Sequence, residues 1–430
     1  MLTKMKRPLV GLALLAFCTW PAADGSVSTA QKNMHPHGIG LQDAINKTLN
    51  HNPALKSLAY QLKAQRGREL QAGLSASPEF SLTLEDALGT GGFTGLDRMQ
   101  ATMGISWVVE GRIRQGYKEE AHARTLSLIT DVDSKRLDAA AQTARLYLTC
   151  LANQARLGNA ARNLELANET VKAVSQRVVA GRTSEAELAR AEADREKKRL
   201  YREGLEHLLK SDIRLLAAQW GETDPGFTHV EGNILHVPNP MPFEVLKKRI
   251  EQSPAYLRLM ADRRLKESRL RLEESRSRPE WKLNLGIRHF ELSDDQAIVA
   301  GVAIPFGERA RNPGNISAAR EDLRQTQAIQ AKMRVQLEAR LFTLSQALQH
   351  SLHQADAYRE RVIPRLETAL EQTRRAYELG RYSYLEWRSV QAELLDARNA
   401  LLESSFDAHL KIIEMERLTG ISLIQPPGSK

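Results

Sequence analysis

The sequence predicts a mainly α-helical chain with a membrane β-barrel part, written as two copies of one half. Three observations predict it. First, landmarks recur in one register. Asn52-Pro53-Ala54-Leu55 returns as Ser253-Pro254-Ala255-Tyr256, and Ser77-Pro78-Glu79-Phe80 as Arg278-Pro279-Glu280-Trp281, each 201 residues on. Ala180-Gly181-Arg182 returns as Leu379-Gly380-Arg381, and Gly221 as Gly420, each 199 residues on. Second, each half contains two short segments that alternate strictly between apolar and polar residues. Third, helical patterns longer than a globular domain can hold flank those segments. A unit of this length far exceeds the roughly 20–50 residues of solenoid repeats. The expectation is a duplicated half with pseudo-two-fold symmetry, at residues 40–221 and 242–420.

From the N-terminus, Lys4, Lys6 and Arg7 precede an apolar run from Leu9 to Trp20 and then small residues, Pro21 to Ser26. That is the layout of a secretory signal peptide, ending near residue 25, and the apolar run is too short to span a bilayer. No later stretch reaches the ~18 apolar residues of a transmembrane helix, so a membrane part would have to be built from strands. Cys18 falls within the leader, where Leu15-Ala16-Phe17-Cys18 departs from a lipoprotein site through bulky Phe17; Cys150 alone cannot form an internal disulfide. Removing Lys4, Lys6, Arg7 and Asp24 with the leader lowers the formal charge from +9 to +7. The remaining bases alternate with acids, as in Arg263-Arg264-Leu265-Lys266-Glu267, which argues against a nucleic-acid face. Aromatics at 5% and charged residues at 26% fit long helices better than several globular cores.

Each half then reads helix, hairpin, long helix, tip, helix. Helical patterns are expected at 41–75, 111–180 and 184–217, and again at 243–277, 315–379 and 383–419. A helix over 111–180 is about 105 Å long at 1.5 Å per residue. The two shorter helices of each half, stacked end to end, match it. Between them, Phe80, Leu82 and Leu84 alternate with polar residues, as do Ala101, Met103, Ile105, Trp107 and Val109. The second half has Trp281, Leu283, Leu285 and Ile287, then Ile298, Ala300, Val302, Ile304 and Phe306. Period two gives strands with one apolar face, here over about 78–110 and 279–306. The first hairpin loop, Gly89 to Gly95, is glycine-rich; the second is short and acidic at Asp294-Asp295. Phe80, Trp107, Trp281 and Phe306 lie near strand ends, where membrane barrels carry aromatic girdles.

Four strands cannot close a bacterial barrel, which needs eight or more. Two chains would give eight, a barrel filled by its own side chains; three would give twelve and an open bore, so a homotrimer is expected. The helices carry a heptad seam: Leu164, Ala167, Val171, Val174 and Val178 correspond to Ile363, Leu366, Leu370, Thr373 and Tyr377, and Trp387, Val390, Leu394, Ala397 and Leu401 continue it. Such a seam marks coiled-coil packing, and a secreted coiled-coil scaffold without a channel would show it too. Gly181 and Gly380, followed by Thr183-Ser184 and Tyr382-Ser383, read as helix ends with a fresh N-cap.

The leader, the duplication, the hairpins and the segments Arg177-Val178-Val179-Ala180-Gly181-Arg182-Thr183-Ser184-Glu185-Ala186-Glu187-Leu188 and Ala376-Tyr377-Glu378-Leu379-Gly380-Arg381-Tyr382-Ser383-Tyr384-Leu385-Glu386-Trp387 together resemble the TolC-like outer-membrane efflux protein family. Their wording is most similar to its heavy-metal, CzcC-like branch, and the resemblance covers about 40–421. It implies a trimer in which a twelve-stranded barrel in outer-membrane lipid continues as an α-helical tunnel across the periplasm. An inner-membrane pump of the resistance-nodulation-division type and a periplasmic adaptor would dock at the tunnel's end. It further implies a periplasmic gate just past the tips Gly181 and Gly380, in which Glu187 and Glu386 pair with Tyr377. The family's arginine two after the second glycine is replaced by Tyr382, with Arg381 one earlier and Arg182 at the first tip. The implied function is a passive exit duct for heavy-metal cations; drugs or type I secreted proteins are alternative cargoes.

Metal-ligating candidates within the chain are His350 and His353, one helical turn apart, and His35 and His37 in Met34-His35-Pro36-His37, which suit a soft or borderline cation. No serine, cysteine or carboxylate constellation, phosphate-cradling loop or zinc spacing is present, so neither an enzyme nor a cofactor is expected.

Overall fold

A computed structural model describes residues 38–305 and 312–420. The helices are α1 (Leu41–His51), α2 (Pro53–Ala72), α3 (Gly111–Val179), α4 (Glu185–Ala217), α5 (Phe243–Lys247), α6 (Pro254–Arg276), α7 (Pro313–Ala357), α8 (Ile363–Glu378) and α9 (Tyr384–Thr419). The strands are β1 (Glu79–Glu85), β2 (Gln100–Val109), β3 (Trp281–Phe290) and β4 (Asp295–Ala303). Helix α3 runs unbroken for 69 residues. It packs against α2 and α6 toward the sheet, and against α4 and α9 toward the tips. Among the described residues no helix is long and apolar enough to cross a membrane.

The strands form one antiparallel sheet in the order β1-β2-β3-β4. Its register makes the alternation of the sequence into two faces. One carries the rows Phe80, Ile105, Leu285, Ala300 and Leu82, Met103, Ile287, Ile298 across all four strands. Leu82, Met103, Ile287 and Ile298 are 55–79% exposed, so among the described residues of one chain nothing covers this apolar face. The other face is polar. There Arg288 reaches across three strands, pairing with Glu85 at 2.8 Å and donating to Thr102 Oγ1 at 2.8 Å and Gln100 Oε1 at 3.0 Å. Among the described residues the outer edges of β1 and β4 have no strand partner. Phe306 and the leader with Cys18 lie outside the described residues.

The helices are broken more often than the sequence pattern suggests. The expected helix 41–75 is interrupted at Asn52-Pro53, and 243–277 at Ser253-Pro254. Proline has no N–H and prefers the first turn of a helix, so each restarts one. Asn52 Oδ1 accepts from Leu55 N–H at 3.1 Å, and Ser253 Oγ from Tyr256 N–H at 3.2 Å. The glycines that end each half close onto these prolines. Gly221 (φ 85°) and Gly420 (φ 72°) hold left-handed turns, and a Cβ on Gly420 would stand only 3.1 Å from Pro254 Cδ. The expected helix 315–379 contains a π-turn at Tyr358–Val362 just before Pro364. A proline inside a helix deletes one i→i−4 bond, and a π-bulge absorbs the fault. Its counterpart 199 residues earlier is Glu165, and there α3 continues without a break.

At mid-height a strap over 222–241 joins the halves and is tied down by buried and half-buried side chains. Gln154 imitates a strand, accepting from Val230 N–H at 2.7 Å and donating to Val230 O at 2.9 Å. The Tyr147 hydroxyl lies 3.0 Å from Ile39 O and also bonds Glu231 O; burial pushes its pKa up to about 12. His409 Nε2 lies 3.0 Å from Ile234 O, and burial holds its imidazole below the usual histidine range. Because the folded pKa is depressed, the unfolded chain binds the proton more readily in mild acid. Burial of neutral His409 therefore costs no stability above the ordinary histidine pKa of about 6.5, and stability is lost as pH falls from there toward the depressed folded value. Melting followed from pH 7.5 to 5 should show a slope that flattens in His409→Gln; equal slopes would remove His409 from the account.

Candidate gate at the helix tips

Both tips end by the same local chemistry. Gly181 (φ 68°) and Gly380 (φ 73°) take left-handed conformations. Arg182 N–H donates to Arg177 O at 2.8 Å and Gly181 N–H to Val178 O at 2.9 Å; Arg381 N–H donates to Ala376 O and Gly380 N–H to Tyr377 O, both at 2.9 Å. These paired bonds are Schellman motifs, which satisfy the last carbonyls of a helix. The chain reverses over two residues, and Ser184 and Ser383 start α4 and α9. The starts differ. Ser383 and Glu386 form a capping box: Glu386 N–H donates to Ser383 Oγ at 3.3 Å, and Ser383 N–H to Glu386 Oε2 at 2.7 Å. That backbone bond, with the Ser383 hydroxyl, holds the Glu386 carboxyl below the usual carboxylate range. Ser184 makes no such bond, and Glu187 instead accepts from the Thr183 hydroxyl.

Behind the tips sits a small core of Val174, Ala191, Tyr377, Tyr384 and Trp387. Tyr377 and Trp387, each 2% exposed, stack with ring centroids 5.1 Å apart. The Arg177 guanidinium lies 4.7 Å over the Tyr377 ring and donates to the carbonyls of Tyr377 and Glu378, the latter at 3.3 Å. One arginine from the first half thus clamps the helix end of the second. Burial, then the Glu187 charge, raises the Tyr377 phenol above its ordinary value, against the opposing Arg177. Tyr384 is raised by burial and then by Asp194, which pairs with Lys198 at 2.9 Å and Arg388 at 3.5 Å. Three buried polar atoms of this cluster, Arg177 Nε, Tyr377 Oη and Trp387 Nε1, have no hydrogen-bond partner among the described residues.

The gate residues named from the sequence are therefore gathered at one end of the molecule. Within one chain the Tyr377 hydroxyl has no hydrogen-bond partner among the described residues, while the Thr183 hydroxyl donates to Glu187 and Ser383 N–H to Glu386. The side chains of Arg182, Arg381 and Tyr382 are exposed. Arg177, Tyr384 and Asp194 were not singled out. The available signal for Arg177 is that it breaks the duplication, since the residue 199 later is Ala376. Of the metal candidates, His350 and His353 are exposed on α7, while His35 and His37 lie outside the described residues. No three His, Cys, Asp or Glu converge on a cation site among the described residues.

Residues 44–222 match the family described as Outer membrane efflux protein. The chain is 25% identical to the cobalt-zinc-cadmium resistance protein CzcC of Cupriavidus metallidurans, over 89% of this chain and 90% of that one. It is 26% identical to the nickel-cobalt-cadmium resistance protein NccC of Alcaligenes xylosoxydans xylosoxydans, over 77% and 72%. Its fold is similar to the crystal structure of the outer membrane protein VceC from Vibrio cholerae, with a TM-score of 0.74 at 17% identity, covering 89% of this chain and 97% of that one. With a four-stranded sheet on a helical shaft and tips closed by paired Schellman turns, the chain resembles the TolC-like outer membrane efflux protein family, whose model its first half matches.

Proposed function

We propose that the chain is the outer-membrane exit duct of a tripartite efflux system, moving heavy-metal cations passively while an inner-membrane pump supplies the energy. One observation carries the duct: a four-stranded sheet with a bare apolar face and two open edges, mounted on a shaft whose longest helix, α3, is about 100 Å long. A scaffold that stayed in water would leave that face uncovered. Three copies pairing β4 to β1 give a closed barrel of twelve strands, and the polar face with Arg288 then lines the bore. The halves 40–221 and 242–420 act as equivalent units around it. A periplasmic adaptor and a pump of the resistance-nodulation-division type complete the path. Metal cargo is supported by the resistance proteins CzcC and NccC. Deleting the chain from its host should lower tolerance to cobalt, zinc and cadmium severalfold and leave antibiotic tolerance unchanged. The reverse pattern would assign drugs or secreted proteins as cargo.

The tips are proposed to be the resting constriction. Glu187, Glu386, Tyr377, Arg182, Arg381 and Tyr382 lie where neighbouring copies would converge; Tyr377 is buried within its own chain, and exposed links of the kind the others can make are worth at most about 1 kcal/mol each. They can hold a gate that opens cheaply. The triple variant Glu187→Ala, Tyr377→Phe, Arg381→Ser should conduct more at rest in planar bilayers, with the assembly's melting unchanged. Unchanged conductance from inserted protein would place the constriction elsewhere.

A further inference from the structure

We propose that the groove between α8 and α9 seats α4 of a neighbouring copy, with Glu192 of that copy set against Arg365. The groove's role rests on the several-copy duct proposed above, and it is the surface through which the helices of that duct join. Within one chain α9 lies along both α3 and α4: Gln391 Nε2 donates to Thr170 Oγ1 of α3 at 3.1 Å, and Arg388 pairs with Asp194 of α4 at 3.5 Å. The first contact is closed to water, with Thr170 4% and Gln391 6% exposed.

The duplication makes α8 and α9 the counterparts, 199 residues on, of the tip end of α3 and of α4. The counterpart of the groove that holds α9 is therefore the α8/α9 groove, and the counterpart of α9 is α4. Within one chain α4 is already packed along α3. The α8/α9 groove, of about 910 Å³, is lined by Val362, Leu366 and Ala397 together with Arg361 and Arg365. Exposure differs between the copies in the sense that a missing neighbour requires. Asn163 on α3 is 8% exposed, whereas its counterpart Val362 on α8 is 36% exposed. Gln391 on α9 is buried, whereas its counterpart Glu192 on α4 is exposed.

Charge agrees with that occupant. Among the described residues the side chains of Arg361, Arg365 and Glu192 have no hydrogen bond or ion pair. The neutral pair Thr170 and Gln391 maps onto Ala369 and Glu192. Arg365 stands one helical turn from Ala369 on the same face, within reach of a carboxylate placed there. An acid meeting an unpaired base fixes partner and register more than it adds affinity. The groove and α4 are different patches of one chain, so the contact is head-to-tail, and such contacts close into rings and not into two-fold dimers.

The test co-expresses two differently tagged full-length copies, one Glu192→Cys and one Ala369→Cys, and oxidises the assembly in detergent. A covalent dimer carrying both tags is expected, and neither variant alone should give one. In native mass measurements Glu192→Arg and Arg365→Glu should each lower the assembled fraction severalfold with the helical content of the chain unchanged, and the two changes combined in one chain should restore it. Assembly that forms normally without the mixed covalent dimer, or single-variant losses that the combination does not restore, overturns the proposal and leaves the duct reading standing. Parent chains that do not associate at all overturn both.

Discussion

Ile287→Arg should keep the chain out of the outer membrane. Ile287 sits in the middle strands of the exposed row Leu82, Met103, Ile287, Ile298. An arginine facing lipid at mid-bilayer costs about 2–4 kcal/mol, and every copy in the barrel would bear it. The expected readout is a severalfold drop in protein recovered in the outer-membrane fraction, with the remainder degraded or aggregated. Asn284→Lys changes the same strand on the opposite face and should insert normally, because that face already carries Arg288 with its partners on β1 and β2. Equal insertion of both variants would mean that the apolar rows do not meet lipid.

The second large effect is at the tips. Tyr377→Ala should destabilise the tip by about 3–5 kcal/mol, since deleting a buried aromatic leaves a cavity that its neighbours fill only partly. Trp387 would lose its stacking partner and Arg177 the ring beneath it. Protease cleavage at the Gly380 turn and resting conductance should both rise. Tyr377→Phe separates packing from polarity. The hydroxyl is buried without a partner in the chain, so its removal should leave the isolated chain at least as stable, because an unmet buried polar group is a liability. If Tyr377→Phe nevertheless raises conductance in the assembled channel, the hydroxyl's partner belongs to a neighbouring copy. Proteolysis and conductance that stay at parental levels in Tyr377→Ala would show that this core does not hold the tip.

The sheet was readable because a half-buried strand writes its geometry as period two: Leu82, Met103 and Ile287 fall on one face whatever the rest of the chain does. The helix seam was readable for the same reason, and Ala167, Val174, Thr373, Tyr377 and Trp387 are buried where the heptads place them. The interruptions were harder to read. Pro53, Pro254 and Pro364 stand in plain view, yet apolar periodicity continues across all three, and the same residue type restarts a helix at two of them and bulges it at the third. At the tips the difficulty was chemical. Ser383 and Glu386 have the spacing of a capping box, and a carboxylate at that spacing serves a cap or a gate equally well until coordinates show which donor it accepts from. Arg177 is marked only by breaking the duplication, against Ala376, and its role depends on Tyr377, 200 residues away.

The two unpaired sheet edges also bear on inheritance. An open sheet of four strands has no stable place in lipid by itself; in the proposed trimer, subunits would have to find one another before the barrel closes, and each finished duct would be built from several copies of one gene product. A cell carrying an intact and a damaged allele would therefore assemble mostly mixed ducts. A defect that spares the edges but spoils the tips should behave as genetically dominant, whereas one that destroys the edges should drop out of assembly and behave as recessive.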